Sequence, residues 1–224
     1  MDIILLGAGG HAKDFIKNIE EFNRDVPKKA RLNIRLLIDD YNNSSTKHML
    51  AGYPVMHSLK VLSRPEFKKA AVMCAVGDPV NKKAFINKSG IYRLKYANFV
   101  HPSVSIHRTT KLGVGVSIFA SSVISAFTEI GSHVSVNYFV SVSHDCKIGD
   151  YSTLCPGVNI GGYSTAKEGS FMGIGSCCLD RKTIGRWSVV GAGSTVTNDV
   201  KDFCIVAGNP GKFIAKRKEG MPVF

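Results

Sequence analysis

The stretch SVNYFVSVSHDCKIGDYSTLCPGVNIGGYSTA, residues 135–166, places a small apolar residue at every sixth position. The same register holds at seventeen positions, and none of them is charged or polar. A period of six matches neither an α-helix nor an alternating strand. It is typical of a solenoid of short strands and tight corners. We call these positions the inward series: Val100, Ile106, Leu112, Ile118, Ile124, Ile130, Val136, Val142, Ile148, Leu154, Ile160, Ala166, Met172, Cys178, Ile184, Val190 and Val196.

The period also predicts the geometry of the solenoid. Six residues make one face, and three faces close a coil, so residues 18 apart in the sequence lie above one another at about 4.8 Å. A second series of small residues follows each inward position by four, and only Lys182 breaks it. Because the register never slips, no long loop leaves the solenoid, and a small-molecule site has to involve the N-terminal region, a neighbouring subunit or both.

The first 98 residues predict a different domain. Strands alternate with helices, which indicates a small parallel sheet of Rossmann-like type. Ligands of such sheets bind at the carboxyl ends of the strands. We therefore expect an α/β ligand-binding domain at 1–98 and a solenoid with a C-terminal cap at 99–224. The predicted strands are 2–6, 33–38 and 70–76, and the predicted helices are 12–22 and 80–89.

Charge is concentrated outside the repeat. The chain has 29 Lys and Arg against 17 Asp and Glu, a net charge of +12. Residues 100–200 carry only 7 basic and 6 acidic side chains. Basic flanks suit anionic small molecules that carry phosphates. Nucleic-acid binding is not expected, since no aromatic and basic stripe accompanies the charge.

Cysteine usage and hydropathy indicate a cytoplasmic protein. The six cysteines show no metal-ligand spacing and no disulfide framework. No apolar run reaches the roughly 18 residues that a membrane span needs. We therefore expect no metal and no membrane span.

Short motifs narrow the interpretation. The ending Val190-Gly191-Ala192-Gly193-Ser194-Thr195-Val196 and pairs such as Ile148-Gly149 resemble the hexapeptide-repeat acyltransferases. Four further motifs are similar to those of one branch of this family, the UDP-4-amino-sugar N-acetyltransferases and sialic acid O-acetyltransferases. They are Gly7-Ala8-Gly9-Gly10-His11, Asp39-Asp40, Ala75-Val76-Gly77-Asp78 and Ser143-His144-Asp145-Cys146. The resemblance implies a left-handed parallel β-helix, a homotrimer with active sites between subunits, and acetyl-CoA as co-substrate.

The resemblance also implies a base. It assigns His144 as the general base and Asp145 as its supporting carboxylate, and acyl transfer needs such a base to take the acceptor proton. Gly162 lies 18 residues after His144, so its N–H is a candidate oxyanion donor; a corner that needs positive φ is the alternative reason for this glycine. Several relatives carry a second histidine where this chain has Thr153. Cys146 belongs to the small series and is expected to pack inside.

Binding residues are predicted on both domains. For the donor we expect Gly162, Gly173, Gly175, Lys182, Gly191 and Lys212 to contact the acyl carrier. For the acceptor we expect a phosphate to bind at a helix start, in the turn formed by Gly7, Gly9, Gly10 and His11. Asp39 or Asp40 is expected to form hydrogen bonds with a ribose or a base. Gly77 is expected to complete the site.

The leading hypothesis is an acetyl-CoA-dependent N-acetyltransferase that acts on a nucleotide-linked amino sugar, with a UDP-linked 4-amino sugar as the expected acceptor, in surface-glycan biosynthesis. The alternative within the same chemistry is O-acetylation of a sialic-acid-like sugar. Two further alternatives are a trimeric nucleotide-binding scaffold without catalysis and an NAD-dependent sensor fused to a β-helix.

Overall fold

The computed structural model describes residues 1–40 and 48–223. It separates the chain into two compact units. The first comprises Met1–Gly77 and Asn81–Asn98, and the second comprises Asp78–Val80 and the chain from Phe99 onward.

The first unit is built on a five-stranded sheet, whose strands are β1 (Asp2–Leu6), β2 (Asn33–Ile38), β3 (Met49–Leu50), β4 (Tyr53–Met56) and β5 (Ala71–Cys74). They lie in the order β3-β4-β2-β1-β5 and are parallel, except that β3 and β4 are antiparallel. The centre of the sheet is apolar and fully buried, because residues 3–6 of β1 carry four large aliphatic side chains with no exposed surface.

Two helices follow the strands at the positions that the sequence predicts. Helix α1 (Gly10–Asp25) follows β1, and α2 (Pro79–Ser89) follows β5. The buried face of α1 includes Ala12, Phe15 and Ile19, at the spacing of one helical stripe. Short 3-10 turns occupy Lys28–Ala30, Leu59–Ser63, Pro65–Phe67 and Gly90–Tyr92.

The second unit is a solenoid of two-residue strands that recur every six residues. Strands three apart in sequence pair in parallel, so that Val142 lies beside Ile160, as the 18-residue coil predicts. The strands are β6 (Phe99–Val100), β7 (Ser105–Ile106), β8 (Lys111–Leu112), β9 (Ser117–Ile118), β10 (Val123–Ile124), β11 (Glu129–Ile130), β12 (Ser135–Val136), β13 (Ser141–Val142), β14 (Lys147–Ile148), β15 (Thr153–Leu154), β16 (Asn159–Ile160), β17 (Thr165–Ala166), β18 (Phe171–Met172), β19 (Cys177–Cys178), β20 (Thr183–Ile184), β21 (Val189–Val190) and β22 (Thr195–Val196).

Three parallel sheets result. Sheet 1 contains β7, β10, β13, β16, β19 and β22; sheet 2 contains β8, β11, β14, β17 and β20; sheet 3 contains β6, β9, β12, β15, β18 and β21. We name the corners by the sheets that they join: corner 1–2, corner 2–3 and corner 3–1. From Ile118 to Val196 every inward residue is buried. The three inward residues of the first coil are less covered, since that coil stacks on another coil from one side only.

A hairpin continues sheet 3 at the C-terminal end. Strand β23 (Cys204–Ala207) pairs in parallel with β21, and β24 (Lys212–Lys216) pairs with β23 in the antiparallel direction. After β24 the buried side chain of Arg217 donates a hydrogen bond to the carbonyl of Trp187 at 2.8 Å. The hairpin therefore extends sheet 3 by two strands beyond β21.

Within residues 1–40 and 48–223, no helix combines the length and the apolar character that crossing a membrane would require.

Candidate active site

His144 and Asp145 form a hydrogen-bonded pair at corner 1–2. Nδ1 of His144 lies 2.9 Å from Oδ2 of Asp145. A carboxylate only accepts hydrogen bonds, so Nδ1 carries the proton and Nε2 is left as the basic nitrogen. The His144 side chain is 53% exposed, so it is accessible to a ligand. This arrangement has the geometry of a general base with an orienting carboxylate.

Backbone geometry explains why the pair meets at this corner. Asp145 is the third corner residue and has a φ of +57°, a left-handed conformation that Asp tolerates better than most residues. Its N–H donates to the carbonyl of Ala126 one coil below, at 3.0 Å. The corner therefore holds the carboxylate against the preceding imidazole.

Gly162 lies against the His144 ring, as the 18-residue coil predicts. A Cβ built on Gly162 would lie 3.0 Å from Cε1 and 3.1 Å from Nε2 of His144. The positive φ of this corner belongs to the next residue, Tyr163, at +58°. The alternative reason for the glycine, a backbone that needs positive φ at 162, is therefore wrong, and space beside the imidazole is the requirement.

Tyr163 and Arg181 complete this corner, and the sequence reasoning missed both. The rings of Tyr163 and His144 meet edge to face, with centroids 5.1 Å apart. The guanidinium carbon of Arg181 lies 4.5 Å from the centroid of the Tyr163 ring. The 18-residue coil would have placed both residues above His144, but it does not give the direction of their side chains.

Cys146 packs inside the solenoid. Its side chain is fully buried, and Sγ lies 3.1 Å from the carbonyl oxygen of Gly161. Burial raises the pKa of the Cys146 thiol. A thiol with a raised pKa is a poor nucleophile, which agrees with the packing role expected from the sequence.

Thr153 lies on another face. It belongs to β15 in sheet 3 and is buried, whereas His144 follows a strand of sheet 1. Within one chain the structure therefore does not bring Thr153 to the imidazole.

The residues expected to bind the acyl donor lie on two different corners. Gly162 and Lys182 lie at corner 1–2, and the N–H of Lys182 donates to Oγ of Ser164 at 3.2 Å. Gly173, Gly175 and Gly191 belong to corner 3–1, across sheet 1, and Lys212 is exposed in β24. One chain alone does not bring the two groups together.

Most of the predicted acceptor residues line one pocket of the first unit. The pocket has a volume of about 190 Å³. The predicted residues on its wall are Gly7, Gly9, Gly10, His11, Asp39 and Gly77. Asp40 is not on that wall; its carboxylate pairs with Lys88 at 2.6 Å. Of the two neighbouring aspartates, the structure thus places Asp39 at the pocket.

Local geometry accounts for the glycine turn. Gly7 has a φ of +112°, and a Cβ there would lie 2.8 Å from the carbonyl oxygen of Ala75. Gly9 caps α1, whose first turn contains no acidic residue and whose cap makes no side-chain hydrogen bond. The first N–H groups of a helix favour anions, so this turn suits a phosphate.

His11 enters the pocket as a neutral group. Burial and the charge of the buried Lys82 lower the pKa of His11 to about 3. At neutral pH the imidazole therefore offers hydrogen bonds and no charge. Asn81 and Phe85 of α2 also line the pocket, and their spacing of four residues on a helix after the Gly77 turn was the signal that the sequence reasoning did not use.

In the described part of the chain, no group of three or more His, Cys, Asp or Glu side chains has the geometry of a metal site.

Two family models match the chain. The PglD N-terminal domain matches residues 2–89, and the bacterial transferase hexapeptide model (six repeats) matches residues 127–162. The GDP-perosamine N-acetyltransferase of Escherichia coli O157:H7 is 25% identical over 190 residues, which cover 84% of this chain and 82% of that protein.

Solved structures with the same fold cover nearly all of the chain. A variant of perosamine N-acetyltransferase from Caulobacter crescentus, in complex with CoA and GDP-perosamine, has a TM-score of 0.85 at 25% identity, over 96% of this chain and 98% of that chain. The acetyltransferase domain of PglB from Neisseria gonorrhoeae FA1090, in complex with acetyl coenzyme A, has a TM-score of 0.81 at 25% identity, over 95% of this chain and 98% of that chain.

These similarities confirm four predictions from the sequence. They confirm the resemblance to hexapeptide-repeat sugar acetyltransferases and the fold class of a Rossmann-like domain followed by a parallel β-helix. They also confirm the expected enzyme class and co-substrate, because these relatives are acetyltransferases whose structures hold CoA or acetyl coenzyme A.

Proposed function

We propose that this chain, in which a PglD N-terminal domain precedes hexapeptide repeats, is a cytoplasmic acetyl-CoA-dependent N-acetyltransferase that acts on the amino group of a nucleotide-linked amino sugar. The observation that carries the proposal is the His144–Asp145 pair, with Gly162 leaving the imidazole uncovered. The relatives named above acetylate perosamine or bind acetyl coenzyme A, which supports the same chemistry here.

The first step forms the new C–N bond. The amine nitrogen attacks the thioester carbonyl, and the carbonyl π electrons move to oxygen. Nε2 of His144 takes the proton that the amine loses, and Asp145 stabilises the imidazolium that results.

The second step breaks the C–S bond. The oxyanion electrons re-form the carbonyl, and the CoA thiolate leaves and takes the proton from His144. The Gly162 N–H is the proposed oxyanion donor. The amides on both sides of it donate hydrogen bonds within the solenoid. The Gly161 N–H donates to the carbonyl of Cys178 at 2.9 Å, and the Tyr163 N–H donates to the carbonyl of His144 at 3.1 Å.

Transfer is proposed to be direct, without an acyl-enzyme. Cys146 is the cysteine nearest to His144 in sequence, but its thiol is fully buried and its pKa is raised by burial. A covalent route would need an exposed thiolate.

The acceptor is proposed to be a nucleoside-diphosphate sugar held by the first unit. The helix start at Gly9 and Gly10 suits the diphosphate, and the Asp39 carboxylate suits a ribose hydroxyl or a base N–H. The sequence favoured a UDP-linked sugar, whereas the Caulobacter relative was solved with GDP-perosamine. Both nucleotides therefore belong in the test.

The active unit is proposed to be a homotrimer with sites between subunits. An apolar band is exposed on sheet 1 and its two corners, and exposed apolar surface of this kind marks interaction sites. Its members include Val123, Phe127, Phe139, Tyr163, Ile174 and Leu179. Contact across sheet 1 would bring corner 3–1 of one copy, with Gly173, Gly175 and Gly191, toward corner 1–2 of its neighbour, which explains why the donor residues are split in one chain.

The test is release of CoA thiol from acetyl-CoA with a panel of UDP- and GDP-linked 4-amino sugars. We expect turnover with at least one panel member. His144→Ala should lower kcat/KM by about 100- to 10,000-fold, since it removes the general base. His107→Ala is the matched control, because His107 is an exposed corner histidine two coils below, and its activity should stay near that of the unmodified protein.

Three other results of these assays would each favour one of the alternative functions. Turnover only with a CMP-linked or free nine-carbon sugar would replace N-acetylation by O-acetylation. No turnover with any acceptor, together with nucleotide-sugar binding, would favour a scaffold. Tight NAD binding without nucleotide-sugar binding would favour a sensor.

A further inference from the structure

We infer that Tyr163 is a positioning residue for His144 and that Arg181 holds Tyr163 in place. The inference rests on the proposed function, because it concerns the same base. It adds two residues that act through the imidazole and that neither the family motif nor the sequence period singled out.

His144 needs lateral support. Its side chain is half exposed, and the hydrogen bond to Asp145 fixes the ring only at Nδ1. Gly162 has no side chain, so it leaves open the space beside Cε1 and Nε2. A ring held at one nitrogen can still tilt away from an incoming amine, and a small misplacement of a base is costly to the rate.

Tyr163 supplies that support from the coil above. The two ring planes are 87° apart and the centroids are separated by 5.1 Å, which is within the range of favourable edge-to-face contacts. The N–H of Tyr163 donates to the carbonyl of His144 itself. Backbone and ring thus tie Tyr163 to the residue that it supports.

Arg181 holds the tyrosine from one coil higher. Its guanidinium stacks on the Tyr163 ring at 4.5 Å, a distance at which cation–π attraction operates. Both residues occupy the third position of corner 1–2, with φ near +60°. The Arg181 N–H donates to the carbonyl of Gly162 at 2.9 Å. Three successive coils therefore stack base, aromatic ring and guanidinium.

Steady-state kinetics distinguish a residue that positions His144 from a residue that binds acetyl-CoA or the acceptor. Tyr163→Leu should lower kcat about tenfold, equivalent to about 1.4 kcal/mol, with KM for acetyl-CoA and acceptor unchanged. Tyr163→Phe should restore kcat to within about twofold, because the ring edge is retained. Arg181→Met should lower kcat about threefold. A raised KM with unchanged kcat would make either residue a binding residue and overturn the inference.

A double-mutant cycle tests whether Tyr163 acts through the base. In the His144→Ala background, Tyr163→Leu should change the residual rate by less than about twofold, since the group that it positions is gone. A full tenfold loss in that background would mean that Tyr163 acts independently of His144.

The chain offers matched controls. Tyr151 occupies the third position of corner 2–3 and stacks on His133, with centroids 5.6 Å apart. Tyr151→Leu removes a comparable tyrosine–histidine contact away from the proposed base and should leave kcat unchanged. Arg108→Met is the control for Arg181→Met, as an exposed arginine lower on corner 1–2.

A spectroscopic readout keeps this inference separable from the proposed function. The imidazole resonances of His144 should carry a ring-current shift that disappears in Tyr163→Leu, persists in Tyr163→Phe and weakens in Arg181→Met. The resonances of His107 should not move. Unmoved His144 resonances in Tyr163→Leu would overturn the positioning role, whereas a lack of turnover with intact ring-current shifts would overturn only the proposed function.

Discussion

At the scale of single residues, two kinds of glycine serve different purposes in the solenoid. Gly157 has a φ of +73°, and a Cβ built on it would make only ordinary van der Waals contacts, the nearest with Cα of Gly175 at 3.7 Å. Gly162 has no left-handed backbone, yet a Cβ there would press on the His144 ring. The first glycine relieves backbone strain, and the second preserves room for the base.

Substituting these two glycines should therefore give opposite results. Gly162→Ala should lower kcat at least tenfold with little loss of stability, because the imidazole has to shift away from a contact of about 3 Å. Gly157→Ala should lower the thermal midpoint, with a cost of about 1–2 kcal/mol for a left-handed alanine, and keep kcat. Steady-state kinetics and thermal unfolding of both variants check this. An active Gly162→Ala enzyme would show that the base does not need that space.

At the scale of elements, the corners explain how two-residue strands make a stable wall. The third corner residue repeatedly adopts positive φ, even where it is aromatic, as at Phe127, Phe139 and Trp187. Hydroxyls of the second small series donate hydrogen bonds to the same corner of the next coil. For example, Oγ of Ser164 donates to the carbonyl of Leu179 at 2.9 Å. Hydrogen bonds to neighbouring coils thus offset the strain of left-handed residues.

The buried imidazole of His11, in the first turn of α1, predicts a pH dependence of stability. The pKa of His11 is lowered from 6.5 to about 3 by burial and by Lys82, so the folded state keeps this group neutral while the unfolded chain binds a proton below pH 6.5. Unfolding therefore takes up a proton, and stability falls as the pH falls from about 6.5 toward 3, with a slope of at most about 1.4 kcal/mol per pH unit.

Urea unfolding followed by far-UV circular dichroism at decreasing pH measures that slope. His11→Gln does not titrate in this range, so its free energy of unfolding should fall less steeply with decreasing pH than that of the unmodified protein. His107→Gln is the control for the same replacement at an exposed histidine. Equal slopes for His11→Gln and the unmodified protein would contradict a neutral, buried His11.

At the scale of the whole molecule, the exposed apolar side chains are unevenly placed. On the apolar band of sheet 1 and its corners, Phe139 is 67% exposed and Ile174 is 62% exposed. Val114, on corner 2–3, is similarly exposed at 53% but stands apart from that band. Burial of the band between copies would remove this surface from water and assemble the proposed donor site.

A charge on the band should therefore break the trimer. Phe139→Glu and Ile174→Glu should each sediment as monomers and lose most acetyltransferase activity, because an unpaired carboxylate in an apolar interface is strongly unfavourable. Val114→Glu should keep both the trimer and the activity. Sedimentation velocity measures the oligomeric state of each variant. A trimeric, active Phe139→Glu variant would place the interface elsewhere.

The sequence by itself determined the solenoid register, the parallel sheet of the first unit and the adjacency of His144 to Asp145. Each of these depends on local spacing, since alternation along a strand decides which side chain points inward. Only the tertiary structure decided that Asp39 rather than Asp40 lines the pocket, that Gly162 leaves room for the base, and that Tyr163 and Arg181 stack beside it. The place of Asp39 depends on tertiary contacts of the first unit, where Asp40 pairs with Lys88 instead of lining the pocket. The other outcomes depend on the sign of φ at single corner residues and on side-chain packing between coils, which a repeating pattern of residue types does not encode.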